Sequence, residues 1–288
     1  MKYATLFRSL SDADGFNINN IPWVGWEMER ESNLMCNEPG KKLVVNESGI
    51  IEIQPAGPEP PTMVDLGLSV KWADANLGAT NADTVESWYG DYYAWGETET
   101  KEEYSWSNYE HTNGTYSSSN KKVFIKYIPT NRTEYWNGKG DPDNKLVLES
   151  VDDAPRVQFD SPYRMPTKAE CEELLDTTKV ESVWINNYDP TKSEHTPADD
   201  GGISGLNGRL FTSKVEGYVG AKIFIPAAGN FNGSTHNNAG SSCFLWSSSL
   251  NSGGPNSAWY LNFNSYGSIG MSNGYRCFGL SVRCVSTD

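Results

Sequence analysis

The sequence predicts an α+β fold of short strands, one or two helices and long loops. Three observations lead there. The stretch Ser257–Asn273 alternates strictly between apolar and polar residues. Pro166–Leu175 carries a helix-start signal. Elsewhere, polar stretches such as 107–145 and 186–209 separate apolar runs too short for long helices.

The alternating stretch sets the reading of the rest. Trp259, Leu261 and Phe263 fall on one parity, and Tyr260, Asn262 and Asn264 on the other. After a Ser265-Tyr266-Gly267 turn, Ile269 and Met271 are apolar while Ser268, Gly270 and Ser272 are not. A period of two puts the sets on opposite faces of a strand pair. Trp259, Leu261, Phe263, Ile269 and Met271, with Trp246, are expected inside. The other face, of Tyr, Asn, Ser and Gly, has the composition of an antibody-like paratope. Tyr266, Tyr275, Phe244 and Phe278 are large apolar groups that the core does not claim. The candidate ligand-binding residues are therefore Phe244, Tyr260, Asn262, Asn264, Tyr266, Ser268, Ser272, Tyr275 and Phe278, expected to be exposed together.

From the N-terminus, residues 1–54 read as a small β-rich module, either a flap packed on the main domain or an attachment or oligomerisation module. It has an apolar knot at Ile21–Trp26 and a hairpin of Lys42–Val45 with Ile50–Gln54 around a four-residue loop. A Pro-rich linker follows at 55–62. The second domain, 63–288, opens with a strand at Ser69–Ala73. Ser87–Trp106 is dense in aromatics, which suits a core poor in aliphatics or, more sharply, a sugar-stacking platform. In Pro166–Leu175, Thr167 and Glu170 have capping-box spacing, and Ala169, Cys171, Leu174 and Leu175 can line one face. Ala221–Pro226 and Cys243–Ser248 read as short buried strands, and Leu280–Val285 as the last one.

Composition narrows the function. The chain has 288 residues, 12% of them aromatic, and a net charge of −14. Such acidity argues against nucleic acid, which needs a basic footprint, and against an anionic membrane surface. No apolar run reaches the roughly 20 residues of a membrane span, and the first residues lack a secretory leader. Either a leader was removed or the protein leaves its cell by another route, such as inside a virion. Five scattered cysteines, without CxxC, are no disulfide framework, and three isolated histidines suggest no zinc site.

Seven motifs occur in order: Asp65–Leu68, Lys71–Ala73, Gly90–Thr98, Asp152–Ala154, Tyr163–Thr167, Phe224–Gly229 and Leu245–Ser249. Together they resemble the Fibrobacter succinogenes major paralogous domain over about residues 63–288. The resemblance implies a C-type-lectin-like fold akin to the formylglycine-generating enzyme superfamily. Some members serve as target proteins of diversity-generating retroelements, including gut-phage tail proteins, and Trp259–Val285 resembles their variable region, placed here at about 230–285. Cys171 stands where the family usually has Trp, and Cys277 and Cys284 are not expected from it.

Chemistry beyond recognition is sparse. The formylglycine-generating relatives use a C-terminal cysteine pair with copper. In Cys277 and Cys284, however, the second is expected to point inward beside Val282, with no histidine or acid near to lower a thiol pKa. Cys277 reads as an incidental loop residue. Asp152-Asp153 and Asp141–Asn144 offer oxygen ligands for a structural calcium, but without the alternating spacing of an EF-hand, and Asp152 and Asp153 suit helix capping or pairing with Arg156 or Arg164. The reading is a non-enzymatic protein with no cofactor beyond that calcium option. Its expected partner is a protein or glycan receptor on a cell surface, and it would act from a virion tail or the cell exterior. Residues 1–54 would join it to a virion or to further copies. The alternatives are a Bacteroidales surface adhesin or lipoprotein and a formylglycine-generating-type copper oxidase.

Overall fold

The structure, a computed structural model, describes residues 41–45, 51–55, 59–159 and 161–287. The apolar knot at 21–26, Cys36 and the hairpin loop lie outside the described residues. The chain divides between Pro60 and Pro61 into two compact units. In the first, β1 (Lys41–Val45) pairs antiparallel with β2 (Ile51–Pro55). Val45 opposes Ile51, so five residues, 46–50, join the strands where four were expected.

The second unit is mixed α+β, mostly sheet with few helices. Its elements are β3 (Met63–Val64), β4 (Lys71–Ala73), α1 (Glu86–Tyr89), β5 (Tyr92–Tyr93), α2 (Ala154–Phe159), α3 (Lys168–Leu174), β6 (Val180–Ile185), β7 (Gly208–Ser213), β8 (Lys222–Pro226), β9 (Asn230–Asn232), β10 (Thr235–Asn237), β11 (Ser242–Leu250), β12 (Ser257–Asn264), β13 (Ile269–Tyr275), β14 (Leu280–Ser281) and β15 (Val285–Ser286). A central sheet runs β13-β12-β11-β14-β5, with β11 and β14 parallel. Sheets β15-β4-β3 and β6-β7-β8 share a core with one face of it. The expected last strand is thus two short strands in different sheets; between them the Val282 and Cys284 carbonyls accept from Leu77 N–H (2.8 Å) and Ala73 N–H (2.9 Å), and Arg283 is buried. The expected strand at Ser69 begins only at Lys71.

Helix α3 starts as its sequence implies. Thr167 Oγ1 accepts from Glu170 N–H at 3.3 Å, and the Glu170 carboxylate accepts from Thr167 N–H at 2.7 Å. Cys171 and Leu174 are buried and Leu175 packs beside them. Ala169 is exposed instead, since it sits two residues, about half a turn, from Cys171.

The central sheet is covered on both faces. In β11 and β12, Cys243 opposes Phe263 and Leu245 opposes Leu261; all four are buried against Leu66, Trp72, Cys171 and Leu174. Trp246 opposes Tyr260, so it belongs to the other face and not to the row assigned to it. It is fully buried there against Tyr93, Leu280 and Val282. Two tryptophans lock this arrangement: Trp95 Nε1 donates to Ser247 O (2.8 Å) and Trp246 Nε1 to Tyr93 O (2.9 Å).

Along β12 and β13 the inward row holds best at its centre. Leu261 and Phe263 are buried, Met271 is partly covered, and Trp259 is half-covered by the Lys168 ammonium 4.1 Å from its ring centroid. Ile269 is 37% exposed, against expectation, because it sits at the hairpin end of the edge strand. Phe263, edge-on to Trp184 and tilted against Phe211, is the central plug. Phe263→Ala is expected to lower the unfolding free energy by about 3–5 kcal/mol in a denaturant titration, and a loss under 1 kcal/mol would refute this packing.

Candidate functional site

The polar row of β12 and β13 faces outward only in part. Cross-strand pairs Phe244–Asn262, Asn262–Gly270 and Tyr260–Ser272 set these residues side by side. Phe244, Tyr260, Asn262 and Ser272 are each half-buried. The Phe244 and Tyr260 rings meet edge-to-face at 5.6 Å, and Tyr260 leans on buried Trp246 at 5.8 Å. Small residues on β13 keep the surface low. A Cβ at Gly270 would meet nothing within 4 Å, whereas one at Gly274 would come 2.9 Å from Tyr260 Cε1. Gly274 is thus the bed on which the Tyr260 ring lies.

Tyr275 opposes Ser257 at the far end of β13 and is 44% exposed. Its ring touches Phe278 at 5.5 Å, Trp106 at 5.8 Å and Tyr116 at 6.2 Å. Trp106 and Tyr116, themselves 4.9 Å apart, were not among the candidate residues. Trp106 lay in the aromatic-dense stretch, whose other members Trp88, Tyr89, Tyr93, Trp95 and Tyr104 are core, with Tyr92 partly buried. Tyr116 sits in a polar loop, and no local signal distinguishes it.

The hairpin tip is a separate place. Tyr266 is 94% exposed there and Ser268 is exposed beside it. Asn264 closes the turn: its Oδ1 accepts from Tyr266 N–H (3.0 Å) and Ser268 N–H (3.1 Å), so it supports backbone more than it offers itself. Six residue steps of strand separate Phe263 from Ser257, or about 20 Å. Tyr266 and Tyr275 therefore stand at opposite ends of one surface and do not form the single cluster expected.

Arg276, next to Tyr275, is completely buried. Its guanidinium sits 5.0–5.7 Å from the rings of Trp95, Tyr109, Phe124 and Tyr127. Nε donates to Tyr109 Oη (2.8 Å), Nη1 to Pro255 O (3.0 Å) and Nη2 to Lys126 O (3.2 Å). Its own carbonyl accepts from Trp95 N–H at 2.8 Å. Aromatic faces and carbonyl oxygens together replace the water a buried cation loses. Arg283 is held likewise by Asn76 Oδ1 (3.0 Å) and Phe224 O (2.9 Å), and burial lowers its pKa to about 10.

The four described cysteines are free and buried. Cys277 packs in the aromatic cluster with Tyr104 and Phe124 and is no incidental loop residue. Burial pushes the thiols of Cys243, Cys277 and Cys284 up to about 12. The acidic runs are occupied by protein donors. Asp153 Oδ1 accepts from Arg156 N–H (3.2 Å) and Met165 N–H (3.1 Å), Asp152 accepts from Lys126 and Tyr127, and Asp143 accepts from Tyr127 N–H (2.8 Å) and Ile128 N–H (2.9 Å). Arg164 pairs with Glu170 at 2.6 Å rather than with these aspartates. Among the described residues no three His, Cys, Asp or Glu side chains group as metal ligands, and no helix is long and apolar enough to cross a membrane. No family model, curated protein or solved structure matches the chain.

Two outcomes follow from the buried cations. Arg276→Lys removes a planar fork that serves three acceptors at once, and one ammonium cannot reach them all. The loss in denaturant titration is expected to be several kcal/mol, at about 1–3 kcal/mol for each acceptor left unpaired, and wild-type stability would contradict the assignment. His111 lies beside the same arginine with Nε2 2.7 Å from Gly96 O, and burial, then Arg276, depresses its pKa to about 4. The folded state thus keeps His111 neutral while the unfolded chain takes up a proton near 6.5. Stability from this group is complete above that pH and is lost as pH falls toward 4, by up to about 3 kcal/mol. Asp153, raised by burial to about 6, acts oppositely in the same window. Comparison with His111→Gln isolates the histidine. The stability gap between the two proteins should shrink from pH 7 to pH 4, and a pH-independent gap would rule this out.

Proposed function

We propose that this chain is a non-enzymatic recognition protein. A C-type-lectin-like domain of the Fibrobacter succinogenes major paralogous type displays a diversified surface to a protein or glycan receptor on a cell surface. The form we favour is a phage receptor-binding or tail protein, with residues 1–54 as its attachment module.

The observation that carries this reading is the surface of β11–β13. Half-exposed aromatic rings alternate there with Asn, Ser and Gly, over a sheet whose two sides are packed elsewhere. Tyr and Phe supply contact area at low entropy cost, and the small polar residues vary without disturbing the core. The strand span of about 20 Å from Ser257 to Phe263, with Tyr275 at one end and Tyr266 beyond the other, suits a macromolecular partner, whose contact patch on each side is about 800 Å². Gly270 leaves room for a larger residue, as a diversified position needs.

The test is binding of the fluorescently labelled chain to a panel of intact bacterial cells, read by flow cytometry. A strain that binds should lose affinity by about 1–3 kcal/mol with Tyr260→Ala or Tyr275→Ala. The melting temperature of Tyr275→Ala should barely move, because its ring is half in solvent. A library varied at Phe244, Tyr260, Asn262, Ser272 and Tyr275 should then change which strains bind. If folded members all keep the original strain preference, the surface is not the recognition site.

A further inference from the structure

A recess of about 490 Å³ lies away from the aromatic rings of Trp106 and Tyr275, between α1 and the turn that joins β10 to β11. Glu86 and Tyr89 of α1, Asn207, His236 of β10 and Ser241 line it. Gly205 and Gly240, at φ +83° and +74°, form its floor. Those angles favour glycine, and a Cβ at Gly240 would stand 3.9 Å from Tyr89 Oη and 4.0 Å from Asn207 Nδ2. Glycine therefore keeps the space open.

The polar groups have fixed roles. Asn207 is held at both ends: Oδ1 accepts from Asn187 N–H (3.1 Å) and Nδ2 donates to Gly240 O (3.0 Å). His236 Nε2 is 2.8 Å from Ala228 O. A carbonyl only accepts, so Nε2 is the protonated nitrogen; Tyr92 Oη, which donates to the same carbonyl, lies 3.0 Å from Nε2, and this tautomer has its lone pair on Nδ1. The His236 ring is itself immobilised, stacked on Phe231 at 4.6 Å and 5° and edge-on to Tyr89 at 6.2 Å. Ser241 Oγ donates to Asn238 O at 3.0 Å, which leaves its oxygen as an acceptor. Glu86 adds an exposed carboxylate, and no Lys or Arg lines the recess.

The recess thus offers acceptors and the Tyr89 hydroxyl beside aromatic edges. An anion would meet the Glu86 carboxylate, and an apolar ligand would leave the acceptors unpaired. A neutral ligand rich in hydroxyl donors, with a C–H face for the rings, fits both features. We infer that the recess is a carbohydrate site that takes one neutral pyranose residue. It stands independently of the β11–β13 surface but adjoins its tip, since Ser265 N–H donates to Ser241 O at 2.9 Å. A longer glycan held here would run toward Tyr266.

The test uses the full chain and saturation-transfer NMR with the methyl glycosides of glucose, galactose, mannose, N-acetylglucosamine and fucose at millimolar concentration. At least one should bind. Glu86→Ala or His236→Gln should weaken it about tenfold or more, the loss of one good polar contact, with an unchanged circular dichroism spectrum. Tyr275→Ala should leave it intact. The inference fails if none of the five binds, or if neither recess variant alters binding. It also fails if binding is lost in Tyr275→Ala alone, which would put the sugar on the aromatic surface and leave the reading of that surface standing.

Discussion

The architecture turns on one buried cation. Arg276 ties three segments far apart in sequence, around Trp95, around Lys126 and Tyr127, and at Pro255, to the strand that ends in Tyr275. A guanidinium suits this task because its donors point in fixed directions and its flat faces accept aromatic rings. Burying such a charge is unfavourable unless every donor and face is met. That requirement makes the surrounding loops adopt one arrangement: if any of them shifts, the cation is left uncompensated. Long irregular loops, which would otherwise be the loosest part of the domain, are thereby held to a single geometry.

The two-sided sheet complements this constraint. Cys243, Leu245, Leu261 and Phe263 anchor one side, and Trp246 with Leu280 and Val282 anchors the other. What remains for contact is a margin on β12 and β13, continued by rings from the loop that carries Trp106. The margin is tied to the core where Phe244, Tyr260 and Phe278 pack against the Trp246 side, and to the turn at Asn264. Only the exposed positions, such as Tyr266 and Ser268 at the tip, stand free of the core.

Much of this was legible in the residues. The parity of Leu261 and Phe263 and the capping box of Thr167 and Glu170 are local patterns, and they hold. The errors came where partners are remote. Trp246 could be placed on a face only by knowing that it opposes Tyr260. Leu280–Val285 reads as one strand because nothing local says that its two ends pair in different sheets. An arginine destined for full burial looks the same in a sequence as one in solvent, so the box around Arg276 was not foreseeable. Tyr116 joins Tyr275 across 159 positions of chain, 275 minus 116, and neither neighbourhood carries a mark of the other.

The buried thiols have a consequence for where such a chain can travel. Disulfide exchange needs an accessible thiolate, and the buried Cys171, Cys243, Cys277 and Cys284 offer neither access nor charge. The second unit therefore makes no covalent adjustment when the redox poise around it changes. A domain of this kind can be assembled in a reducing cytoplasm and then meet an oxidising exterior with its covalent structure unaltered.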